Sequence, residues 1–207
     1  MPSRISERDF ALINFAFENA QTSLVAFGKV ESFAILENDA GERVFVQSGG
    51  FFDTSDKDEF AQICQVAAAA HKARATAIVG ESWKVTSVED TERPHLDKLW
   101  RQGKLGEHPN ATECVSLILE CDLGLITVCR GINRAEPLWP VLNEAEDGDI
   151  EVFPAGDQSF DGRFKRMLIP REAREQAAEQ AAYFLGKMGV RLISPEEFSE
   201  VTVRPQA

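Results

Sequence analysis

Four side chains able to run acid–base or metal chemistry gather in the middle of the sequence: Glu81, His95, His108 and Glu113. Carboxylates and imidazoles donate and accept protons near neutral pH, and three such groups converging could hold a divalent ion or activate a water. The densest part is GEHPNATECVSLIL (106–119), where a His–Pro turn and two glutamates precede a strongly apolar run. The competing reading is a solvated loop entering a sheet, with His95 in the polar segment TERPHLDKLWRQGKLGEHPN and free of any fixed distance to the strands. The elements that must position these groups therefore decide between the two readings.

Known motifs supply no stronger chemistry. His108-Pro109, with Ser116 seven residues on and Glu81 upstream, resembles the HxHP turn of the JAMM-type metalloproteases. The first histidine position of that turn is Gly106 here and the aspartate position is Leu119, so two metal ligands are missing. Zinc held by a single histidine would lack the ligand set that polarises its water. Gly80 has no glycine-rich phosphate loop around it, and Ser82 in GESW has no nucleophile-elbow glycines. The acidic group Glu144, Glu146, Asp147, Asp149 and Glu151 lacks the calcium-loop register and is expected to be a solvated loop. No cofactor is expected; a divalent metal would be needed only by a hydrolase.

With 43% hydrophobic and 27% charged residues over 207 positions, the chain can bury a full core as one domain, 1–207. Its N-terminus has no apolar leader core, and no run approaches the ~20 apolar residues that span a bilayer. A net charge of −12 repels phosphate, which argues against nucleic acid as a partner, and the one basic cluster (Arg163, Lys165, Arg166, Arg171, Arg174) is broken by apolar residues. Cys64, Cys114, Cys121 and Cys129 form no CxxC pair and read as small buried hydrophobes in a reducing cytoplasm.

The apolar pattern predicts a helix capped by Ser6 and running to about Gln21, its phenylalanines numerous enough to pack on two sides or to lie in a subunit interface. VESFAILEN and ERVFVQS form a hairpin around Asn38–Gly41. A second helix is expected from DTSDKDEF, with Asp56 and Glu59 as a capping box and Phe60, Ile63, Cys64, Ala67 and Ala68 inward. The strand ATAIVGESWKV places Trp83 in the core, and a loop over 86–111 contains a short helix with Leu96, Leu99 and Trp100. TECVSLILECD and LITVCRGI make a second hairpin around Asp122-Leu123-Gly124, with VSLIL a central strand covered on both faces. IEVF and RFKRMLI are weaker strands. Pro170 opens a third helix with Ala177, Ala181, Leu185 and Met188 inward and Gly189 as its stop. VRLI reads as a last short strand, and the tail after Phe198 is expected to fray.

The order α-ββ-α-β-ββ-α makes this an α+β fold, a mixed and mostly antiparallel sheet with helices packed on it. The pair ESWKV and EHPNATECVSLILE resembles uncharacterised bacterial and phage-type proteins that carry an E-[SA]-W-x-V strand followed by an HP-x-x-x-E-x-V strand. The resemblance covers only about 75–120 and implies no activity; it implies that Glu81, Trp83, His108, Pro109 and Glu113 share one structural unit. The functional expectation is a soluble cytoplasmic protein with no catalytic activity assigned, acting through protein contacts with a partner or a second copy, without nucleic acid or membrane. Trp100 and Trp139 are the expected contact residues. The alternative is a small metal-assisted hydrolase using Glu81, His95, His108 and Glu113.

Overall fold

The computed structural model of the chain describes residues 5–48, 54–85, 92–135, 140–144, 149–155, 157, 164 and 166–203. Its centre is a seven-stranded antiparallel sheet: β1 (Phe33–Asn38), β2 (Arg43–Gln47), β3 (Ala73–Val85), β4 (Ala111–Cys121), β5 (Gly124–Asn133), β6 (Val141–Leu142) and β7 (Ile150–Pro154). The spatial order is β2-β1-β3-β4-β5-β6, and β7 also pairs with β5. Two tight hairpins, β1–β2 and β4–β5, account for the antiparallel direction, the second turning at Gly124 with φ +118°, a backbone that only glycine adopts cheaply.

Helices cover both faces, giving the three-layer α+β domain that the element pattern implies. On one face lies α1 (Glu7–Phe27), opened by the Ser6 side chain accepting from the Asp9 amide and closed by Gly28 in the left-handed region. It runs six residues past Gln21, because Leu24 continues the buried stripe of Ile13, Phe17 and Ala20. That stripe meets Ile35, Ala77, Val79, Val115, Leu117 and Leu119. Beside it packs α5 (Pro195–Val203), whose Phe198 stacks on Phe45 at 4.0 Å and 12°.

On the opposite face α2 (Thr54–Ala70) presses Phe60, Cys64, Ala67 and Ala68 against Ala34, Leu36, Val46 and Ile78. α4 (Arg174–Met188) packs on α2 through Leu185 and stops at Gly189 as expected. The loop between β3 and β4 contains α3 (Arg93–Arg101) and a 3₁₀ turn at Leu105–Glu107. No helix among the described residues is long and apolar enough to cross a membrane.

Several local expectations are corrected. Asp56 lies inside the first turn of α2, which opens at Thr54, and so does not cap it. Within RFKRMLI the described residues form no strand; Met167 and Leu168 instead donate their amides to the Glu120 carboxylate, at 2.6 and 3.4 Å, which ties the segment to β4 through a side chain. VRLI supplies only a single bridge, Ile193 to Phe45. The tail does not fray at Phe198: that ring is fully buried and α5 continues to Val203. Met188 is 45% exposed instead of facing inward, since Ala178, Ala181 and Leu185 fill that side. The second face of VSLIL is partly open, with Ser116 and Ile118 only half-buried.

Candidate functional site

The four candidate residues separate into two pairs. Glu81 on β3 and Glu113 on β4 lie diagonally on one face, since Glu81 faces Val115 and Trp83 faces Glu113. Arg134, just past β5, binds Glu113 through both carboxylate oxygens at 2.7 and 2.8 Å and stands 3.7 Å from Glu81. Its remaining nitrogen donates to the Gly28 carbonyl at 2.7 Å, and Glu81 accepts from the Val30 amide at 2.7 Å. The hydrogen bonds from Arg134 hold the Glu113 carboxyl below the usual carboxylate range, against the opposing effect of burial. Both glutamates are therefore engaged in fixing the end of α1 to the sheet.

The histidines belong to the loop. His108 is buried, and its Nδ1 accepts from the Asn110 amide at 3.1 Å, an interaction that shapes the turn into β4. His95 on α3 stands with its ring centroid 6.4 Å from that of His108. Among the described residues no three His, Cys, Asp or Glu side chains are placed to hold one metal ion.

Trp83 explains why the resemblance to a metalloprotease turn ends where it does. Its indole lies over Gly106, where a Cβ would come within 2.6 Å of the ring. The position such a turn gives to its first histidine is thus occupied by backbone packed against an aromatic face. Trp83 is 47% exposed, not a core residue as its strand alternation suggested, because α1 ends before reaching this corner of the sheet. Trp139 and the indole of Trp100 lie outside the described part of the structure.

Two further groupings were not singled out from the sequence. The first is on the second face of the sheet, beyond the reach of α2, where Gly80, Ser82, Lys84, Ser116, Thr127 and Cys129 form a floor of small and polar side chains around Cys114. Lys84 makes an ion pair there with Asp149. The second is the outer side of α4, where Tyr183, Phe184 and Met188 are 62%, 48% and 45% exposed and the two rings meet edge to face at 6.0 Å. Next to them a groove of about 450 Å³ between α2 and α4 is lined by Val66, Ala69, Ala177, Ala181 and Phe184 among others. The signal for this face was present in YFLGKM, of which Met188 was expected to face inward and the two aromatic residues were given no face. The signal for Arg134 was absent, because only strand register brings it to the glutamates.

No family model, curated protein or solved structure matches this chain.

Proposed function

We propose that this protein acts through protein contact, as a homodimer in which the outer face of α4 meets the same face of a second copy. The observation that carries the reading is the run of exposed Tyr183, Phe184 and Met188 on consecutive turns beside an apolar groove. Clustered exposed aromatic and methionine side chains are costly in water and mark contact surfaces. A second copy is favoured by charge. A chain of net charge −12 repels itself through most of its surface, so a self-contact needs a face that opposes unlike charges. An antiparallel crossing of two α4 helices at Tyr183 provides it, because Glu179 and Lys187 stand four residues to either side. Each Glu179 then faces Lys187 of the other copy, and each Phe184 is beside the partner's groove.

Sedimentation over a concentration series tests this. The expected result is a monomer–dimer equilibrium that Phe184→Glu shifts to monomer with an unchanged far-ultraviolet spectrum. Glu179→Lys should weaken the dimer, and adding Lys187→Glu should restore it. A strict monomer at the highest soluble concentration, or charge reversals that do not compensate, would overturn the reading. A cytoplasmic setting is part of it, supported by four unbridged cysteines. The hydrolase alternative has less support, since Arg134 engages Glu113 and stands beside Glu81, while Gly106 is packed under Trp83.

A further inference from the structure

The polar floor of the sheet brings two cysteines together. Cys114 pairs with Gly131 and Cys129 with Ser116, so the two thiols are diagonal neighbours on the same face of β4 and β5. Cys114 is 1% exposed, whereas Cys129 is only partly buried. The Ser82 hydroxyl stands 3.2 Å from the Cys114 sulfur, and Lys84, on the same side of β3, lends its charge to both thiols. A hydrogen bond from Cys129 draws the Cys114 thiol down to about 7, with Ser82 and Lys84 adding to it and burial opposing it. The other two cysteines lack this setting: burial pushes Cys64 up to about 12 and Cys121 up to about 11. The pair thus shares its protons, and the first is lost near neutral pH.

We propose that Cys114 and Cys129 are a redox-active dithiol that closes to a cross-strand disulfide when the protein meets hydrogen peroxide. The same hydrogen bond and burial push the Cys129 thiol up, so the pair's charge rests on Cys114 with the shared proton on Cys129. Transfer of that proton to Cys114 leaves the charge on Cys129, the less buried sulfur, which attacks the O–O bond. A sulfenic acid forms on Cys129, and the hydroxide released takes up a proton to leave as water. Cys114 then attacks the Cys129 sulfur, the S–O bond breaks, and a second water departs. In total two thiols lose two electrons and two protons, and one hydrogen peroxide is reduced. A diagonal pair stands at the upper limit of disulfide spacing, so closure must draw β4 and β5 together locally, and the strained bridge should reopen readily with a dithiol reductant.

The test uses the full chain, reduced, treated with an equivalent of hydrogen peroxide and then blocked with a maleimide. The expected result is loss of two of the four thiols, a Cys114–Cys129 cross-linked peptide by mass spectrometry, and return of all four with dithiothreitol. In Cys114→Ser the cross-link should vanish and a sulfenic acid at Cys129 should become trappable by dimedone. Four thiols surviving in the native protein, oxidation falling first on Cys64 or Cys121, or bridges only between chains would overturn the proposal. The native-protein result stands without any variant, and the outcome is independent of the α4 contact.

Discussion

Glu37 is a heavily engaged carboxylate: it is 1% exposed and hydrogen-bonded to Arg8, Arg43 and Arg74. Arg74 in turn binds Asp9 of α1 at 2.8 Å, so one buried guanidinium ties a helix to two strands. Burial alone would raise the Glu37 carboxyl, but hydrogen bonds from Arg43, Arg74 and Arg8 outweigh it and hold the group below its ordinary 4.5. A carboxyl depressed in the folded state adds stability that is complete above its unfolded value and is lost as pH falls through the folded one. The urea midpoint should therefore fall on acidification below 4.5, and Glu37→Gln should flatten that limb. Arg74→Met should cost about 3–5 kcal/mol at neutral pH, because it takes the cation from buried Asp9 and one of three from buried Glu37. A loss under about 1 kcal/mol in urea unfolding would mean the charges are solvated after all. None of this cluster was singled out from the sequence: Glu37, Arg74 and Asp9 are 28 and 37 residues apart in steps that only the β1–β3 register closes.

At the scale of elements, much was legible where local chemistry dictates local shape. Ser6 opens α1, Asn38 to Gly41 and the Gly124 turn form hairpins, and the cysteine of α2 lies inward on the apolar stripe, whereas the stop of α1 at Gly28 was placed too early. Misreadings occurred where tertiary partners replace local signals. The apolar residues of RFKRMLI pack without a ladder because Glu120 satisfies their amides, and burial raises that carboxyl above its usual range. Arg134 shows the same logic at the strand mouth. It joins β3, β4 and the C-terminus of α1, so Arg134→Met should release the Gly28 carbonyl and speed amide exchange at Val30 without disturbing the sheet interior. The expected cost is only about 1 kcal/mol, since the guanidinium is 41% exposed and solvent screens its pairs. Unchanged exchange at Val30 would show that β3 alone positions the helix end.

For the molecule as a whole, the composition and hairpin pattern were enough to imply one α+β layer structure, but not how its core is closed. The edge of the sheet at β2 would leave Phe33 and Phe45 open, since α1 covers mainly β3 and β4. α5 covers that gap, with Phe198 stacked on Phe45 and 5.1 Å from Phe33. A nine-residue helix with two glutamates in its first turn carries little apolar periodicity of its own, which is why the tail read as fraying. Its fold comes from the pocket it fills: Phe198 supplies a large ring to a core that three other elements already surround. Phe198→Ala should therefore cost about 3–5 kcal/mol, the range for a buried aromatic whose cavity collapses poorly. The α4 face lies on the opposite helical layer, so the same variant should leave the monomer–dimer equilibrium of the folded fraction unchanged. Urea unfolding and sedimentation on one sample separate the two effects. A cost below about 1 kcal/mol would show that α5 only rests on the domain and that the β2 edge is stable uncovered.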